Sequence, residues 1–187
     1  MADFQAMTKA EARAFLQHWL EEGPARLEWL RQTAATTGGP AHLDGSGTSL
    51  GPLWAWARTL LAWRDADVEP VGSGPLPAWF PNPIGIGFER FSDQTIWLVD
   101  AIARYWAQAL ITARPSSVQW GTGYSRVKGY IDQNCPVLLG FGDDLPPIRI
   151  IGSITSNSLE GDERDGRLEE LHRSWLDIAD AQIRRKS

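Results

Sequence analysis

Gly47-Thr48-Ser49-Leu50-Gly51 has the spacing G-x-S-x-G. In α/β-hydrolases that spacing is a nucleophile elbow, in which a strand enters a sharp turn, a helix leaves it, and the serine is exposed between them. A helical pattern does follow here. The preceding Pro40-Ala41-His42-Leu43-Asp44-Gly45-Ser46 is not an apolar strand, and the histidine downstream, His172, lies in a charged terminal segment. Thr48 or Ser49 reads better as a helix cap. Cys135 is the single cysteine, so no internal disulfide can form. A thiol attacks only beside a base, and His18, His42 and His172 lie far from it in sequence. Cys135 therefore reads as a structural thiol ahead of a strand. The histidines have no paired spacing, and one cysteine cannot start a zinc cluster. Residues 161–166 have the look of a calcium loop, but its first and twelfth ligands would be Gly161 and His172, which cannot serve. Gly85-Ile86-Gly87 and Gly140-Phe141-Gly142 each begin a G-x-G, but Arg90 and Leu145 stand where the third glycine belongs. No catalytic residue, metal site or cofactor is assigned.

Charged and aromatic residues offer binding chemistry instead. Asp65, Asp67 and Glu69 form one acidic group, Asp143 and Asp144 a second, and Glu160, Asp162, Glu163 and Asp165 a third. A charge run is usually a solvated face. Groups that converge would make an anionic patch that attracts a basic partner. Pro77-Ala78-Trp79-Phe80-Pro81 sets two aromatics between prolines, and large aromatics are favoured interface anchors. The candidate partner contacts are thus Asp65, Asp67, Trp79, Phe80, Asp143 and Asp144. Asp100 and Arg104 are charges four apart on an otherwise apolar stretch. They read either as an exposed i, i+4 pair or as the polar floor of a pocket beside Trp97 and Tyr105.

The elements that position these groups are organised around residues 92–112. Ile96, Val99, Ala103, Trp106 and Leu110 share one helical face, which Leu98, Ile102, Tyr105 and Ala109 widen until it nearly encircles the helix. Such a helix is buried on most sides. Ser92 and Asp93 cap it and Pro115 ends it. Upstream, Thr8 and Glu11 have capping-box spacing at the head of a helix over 8–21. Gly23-Pro24 then starts a second helix with Leu27, Leu30 and Ala34, giving a helical hairpin over 1–39. Residues 37–48 are a loop, and a third helix begins near Thr48 or Ser49 with Pro52 in its first turn. Residues 65–91 carry prolines and glycines as an irregular insert, with a candidate edge strand over 84–88.

After the central helix the pattern changes to short strands. Residues 118–120, 136–141 and 147–154 are the candidates, and the β-branched 147–154 has the strongest strand pattern. A turn over 142–146 would pair the last two antiparallel. Residues 162–186 close the chain as a helix with Leu168, Leu171, Trp175, Ile178 and Ile183 inward. Grouped strands predict an α+β class: N-terminal helices and a long central helix on a small, mainly antiparallel sheet, then a C-terminal helix. The whole chain, 1–187, reads as a single domain, its core over 40–187.

Composition narrows the function classes. A net charge of −5 works against binding nucleic acid, whose affinity depends on neutralising phosphates. No apolar run is long enough to span a bilayer, and no signal core opens the chain, so a cytoplasmic protein is expected. The ten tryptophans sit mostly at helical positions, where they fill a core.

Leu43-Asp44-Gly45-Ser46-Gly47-Thr48-Ser49-Leu50, followed by Leu53, Trp54 and Trp56, resembles an L-D-x-S-x-x-S-L-x-x-L-x-x-[WF] signature of small actinobacterial proteins. Tyr105 to Leu110, Trp120-Gly121 and residues 130–138 continue the resemblance across 43–141. Some proteins of this kind are similar to immunity proteins, which bind a toxin and do no chemistry. The resemblance implies a non-enzymatic, protein-binding protein with a basic partner such as a toxin, and it brings no catalytic residues. The alternative is a small hydrolase or small-molecule binder using a pocket beside the central helix.

Overall fold

The computed structural model describes residues 3–66, 76–80, 87–127, 129–162 and 164–186. Its axis is α4 (Asp93–Ala113), with Ser92 as N-cap accepting from Thr95 N–H. Nearly every residue from Gln94 to Leu110 is buried, and Gln108 is the exception. The Thr95 hydroxyl donates to Ala62 O at 2.9 Å and accepts from Ala62 N–H at 2.8 Å. That bond pins the start of α4 to the chain leaving α3 (Leu50–Arg58).

The N-terminal hairpin is α1 (Lys9–Glu21) and α2 (Gly23–Thr36), joined by Glu22 alone. The capping box forms at Thr8 and Glu11. α2 lies along α4, and Trp19, Leu30 and Ala34 join its core. A 3₁₀ turn, Gly47–Ser49, leads into α3, which packs on α6 (Arg167–Lys186). β1 (Gln119–Thr122) and β2 (Pro136–Leu139) pair antiparallel, Gln119 opposite Leu139 and Thr122 opposite Pro136. This is an α+β fold, with one cluster of buried apolar side chains running from Phe4 to Ala179. Among the described residues no helix is long and apolar enough to cross a membrane.

Three local expectations are corrected. Residues 147–154 are not a strand but the body of α5 (Pro147–Leu159). Pro147 suits the first helical position. Ile148, Ile151, Gly152 and Thr155 are buried at helical spacing against α4, so tertiary packing overrides the β-branched preference. β2 therefore pairs with β1, and only a single bridge joins Leu138 to Leu145. In α6, Ile178 and Ile183 are 38% and 37% exposed, not inward. The buried stripe is Leu168, His172 and Ala179, with Trp175 half-buried. Of the candidate strand over 84–88, residues 84–86 lie outside the described residues. Gly87 has φ 89°, and Phe88 opens a 3₁₀ turn, Phe88–Arg90. The described parts of the insert supply core: Trp79, Phe88 and Phe91 are all buried.

Candidate protein-binding surface

Beyond the ends of β1 and β2 the ladder runs one step further. Gly123 N–H donates to Cys135 O and Asn134 N–H to Gly123 O, both at 2.8 Å. Between them the chain makes an excursion that neighbouring elements hold in place. Gly123 is required because a Cβ there would lie 2.0 Å from Asp132 O, a backbone atom. Asn134, at φ 64°, donates its amide to Phe4 O and Met7 O. Buried Asp132 takes a two-pronged bond from Arg149 of α5, at 2.8 and 2.6 Å. Such fork-on-carboxylate pairing adds geometric rigidity.

This braced excursion shows both basic and apolar side chains to solvent: Arg126 is exposed, and Lys9 Nζ lies 4.5 Å over the Tyr124 ring. Tyr124 is 55%, Val127 72% and Ile131 50% exposed. Asp143 and Asp144 stand beside it. Asp144 Oδ2 accepts from Tyr124 N–H and from the Tyr130 hydroxyl, each at 3.0 Å. Burial, and then the Asp144 carboxylate, hold the Tyr130 hydroxyl well above its ordinary range, so it remains a donor. The residues enclose an open cleft of about 330 Å³. Arg149 is committed to Asp132, and neither Asp143 nor Asp144 has a cationic partner among the described residues. Exposed Tyr124 thus borders two carboxylates that form no ion pair among the described residues.

The other expected contacts lie elsewhere. Asp65 is exposed, in a separate cleft of about 490 Å³ with Trp63, Arg64, Glu89 and Arg90. Asp67 lies outside the described residues. Trp79 is not a surface anchor: it is 0% exposed, because its indole N–H finds a buried acceptor in Asp100 Oδ1 at 2.8 Å. Phe80 is half-buried, edge-on to Trp79 with Arg64 over its ring. The acidic groups therefore do not line one cleft. In the third group, Asp162 pairs with Arg164 and Asp165 with Arg58.

The Asp100–Arg104 ion pair is not exposed. Asp100 is 0% and Arg104 4% exposed. Asp100 accepts from Trp79, from Trp19 Nε1 at 3.2 Å and from Arg104 Nε at 3.0 Å, with Arg26 at 3.6 Å. Burial lowers the Arg104 pKa and Asp100 opposes the shift. Trp97 instead meets Trp29 edge-on beneath Arg26. Tyr105 faces the 3₁₀ turn. Its hydroxyl accepts from Gly45 N–H at 2.8 Å and bonds Ser49 Oγ at 2.6 Å.

That bond removes the hydrolase elbow. Ser49 Oγ donates to Ser46 O at 2.7 Å and so accepts from Tyr105, and among the described residues no imidazole is hydrogen-bonded to it. Cys135 is buried, which pushes its thiol up to about 12. It stays protonated and is no nucleophile. Among the described residues no group of three or more His, Cys, Asp or Glu could hold a metal ion.

His172 packs on the same turn, where a Cβ on Gly47 would lie 2.8 Å from its Cδ2. Its Nδ1 is buried and makes no hydrogen bond among the described residues. Burial, and then Arg114, lower its pKa below the ordinary value. Above about pH 6.5 both folded and unfolded chains hold the ring neutral. As pH falls through that value the unfolded chain binds the proton first, so stability should decline until the folded-state pKa is passed. Urea titrations of wild type and His172→Gln across pH 5–8 check this, and the variant should lose that part of the slope.

Sequence reasoning reached Asp143 and Asp144 but missed Tyr124, Tyr130, Val127 and Ile131. Their only signal was apolar residues without periodicity in a stretch holding Gly123 and Gly129. Comparison with protein-family models, with curated proteins and with solved structures finds no match for this chain.

Proposed function

We propose that this chain is a non-enzymatic protein-binding protein, acting in the cytoplasm, whose partner is a basic protein of the toxin type, as for an immunity protein. The observation that carries this is the exposure of Tyr124, Val127 and Ile131 on one braced excursion, with Tyr124 beside Asp143 and Asp144, which form no ion pair among the described residues. Val127 and Ile131 are held out to water by a braced backbone, and Tyr124 stays 55% exposed beneath Lys9. Burying them against a partner is favourable at about 25 cal/mol per Å². The carboxylates supply charge complementarity, which speeds encounter and selects a basic face. The braces at Gly123, Asp132 and Asn134 reduce the ordering that binding would otherwise require.

The test is growth of cells expressing each toxin-like protein encoded beside this gene, with and without the chain, paired with binding measured on the purified proteins. Wild type should restore growth. Tyr124→Ala should weaken binding about 30-fold, as a tyrosine hot spot of about 2 kcal/mol implies. Asp143→Arg should chiefly slow association and reduce its salt dependence. Equal binding by both variants, or no neighbouring toxin gene together with no basic protein bound, would remove the support for this reading.

A further inference from the structure

β1 has an open edge, and the ladder register fixes which of its groups lie there. Leu138 N–H donates to Leu145 O at 2.7 Å, and Leu145 N–H donates to Leu138 O at 2.9 Å. Leu138 therefore turns its backbone groups away from β1, so Trp120, opposite it in the ladder, turns its own away from β2. Gly123 gives the same parity from the end of the strand, because its bonds run to Cys135 and Asn134 on the β2 side. Direction alternates along a strand, so Trp120 and Thr122 both face outward. Their N–H and C=O groups make no hydrogen bond among the described residues. Trp120, Gly121 and Thr122 are half-buried and Gln119 is exposed.

Such edges are commonly blunted by charged side chains, by proline or by a covering element. β1 reads Gln-Trp-Gly-Thr, with neither charge nor proline. α1, the other element packed on β1, lies over its face. Trp19 meets the Trp120 ring edge-on at 4.8 Å, and Asn134, on the β2 side, donates to Phe4 O and Met7 O just ahead of α1. α1 also brings charge to one end of the edge. Lys9 and Arg13, one helical turn apart and both exposed, border a hollow of about 170 Å³ with Thr122 and Tyr124. Neither cation pairs with a carboxylate among the described residues, and Lys9 Nζ rests over the Tyr124 ring instead.

We infer that the β1 edge docks an extended acidic segment of a partner protein, which adds a strand to this two-stranded sheet. Main-chain bonds to the outward groups of Trp120 and Thr122 supply the sequence-independent part of the attraction, as in other strand additions. Side chains supply the selection. Directly opposed residues share a face, so the residue opposite Thr122 lies on the α1 side, where Lys9 and Arg13 attract a carboxylate. The residue opposite Trp120 lies on that same face, and a β-branched side chain pairs well with an aromatic one across strands. Two unpaired cations in a chain of net charge −5 set this edge apart from the Asp143 and Asp144 side. The inference stands independently of the partner proposed for those carboxylates.

The test titrates two end-blocked peptides, Thr-Glu-Thr-Glu-Thr-Val-Thr and its reverse, into the full nitrogen-15-labelled chain, one for each strand direction. At least one should saturate with a Kd of about 1 mM or tighter. The amide resonances of Trp120 and Thr122 should move downfield as they gain hydrogen bonds. Lysine in place of both peptide glutamates should weaken binding at least about tenfold. The double variant Lys9→Glu with Arg13→Glu should reverse that preference and favour the lysine peptide. Thr122→Pro, which an outward-facing edge position tolerates, should abolish binding while melting temperature reports that the fold is kept. The inference falls if neither peptide saturates wild type, if glutamate and lysine peptides bind alike, or if folded Thr122→Pro binds as wild type does. Saturation that leaves the Trp120 and Thr122 amides unmoved also overturns it. None of these readouts depends on Asp143 or Asp144.

Discussion

Replacing Asp100 by alanine should cost about 3–5 kcal/mol, because removing one partner of a buried ion pair leaves the other uncompensated. For a chain of this size that lowers the thermal midpoint by about 6–20 °C, measurable by calorimetry or circular dichroism. The site is severe for a specific reason. One fully buried carboxylate collects two indole N–H groups and the Arg104 guanidinium, drawing α1, the insert and α4 to one point. Loss of the side chain leaves Trp19 and Trp79 as buried donors without acceptors, each carrying its own desolvation cost. Asp100→Asn keeps the shape but not the charge and should recover only part of the loss. The double variant Asp100→Leu with Arg104→Met should be milder than the sum of the single changes, since neither charge is then stranded. A midpoint within about 2 °C of wild type for Asp100→Ala would show that the cluster does not hold these elements together.

Legibility from sequence followed the range of the determining interaction. Thr8 and Glu11 are three apart and their capping box could be read directly. The central helix was readable because its apolar residues wrap it, which only burial satisfies. Trp79 was not: flanking prolines suggested a surface loop, while the acceptor that draws it inward is Asp100, in another element. Asp100 and Arg104 have helical spacing that fits an exposed pair as well as a buried one, and only Trp19, 81 positions from Asp100, decides between them. On the candidate surface, two carboxylates are visible as letters. That Tyr124 and Val127 face water is decided by the braces at Gly123, Asn134 and Arg149, which sequence does not display. Residues 147–154 misled for the same reason. Isoleucines favour a strand locally, and the groove that makes them a helix is supplied by α4.

Gly152 in that misread helix carries the second large effect. On helix propensity alone, Gly152→Ala should stabilise by about 1 kcal/mol. The packing says otherwise. An added Cβ would lie 1.9 Å from Phe88 Cζ and 2.4 Å from its Cε1. A flexible exposed ring would step aside, but Phe88 is 2% exposed, stacked at 5.3 Å on Phe91 and edge-on to Trp79. Both neighbours are 0% exposed. Overpacking of this kind costs about 1–3 kcal/mol and occasionally more; a contact this close takes the upper end, so after the propensity gain the net change should be destabilising by about 2 kcal/mol, with a midpoint about 4–8 °C lower. Phe88→Leu in the same chain removes the clashing ring edge. It should make the pair less unstable than the two single changes added together, by at least about 1 kcal/mol. A neutral or raised midpoint for Gly152→Ala would mean that Phe88 does not sit over this position. Because Phe88 touches Trp79 and Trp79 donates to Asp100, Gly152→Ala and Asp100→Ala should also combine sub-additively. The first change already loosens the indole that the second one strands.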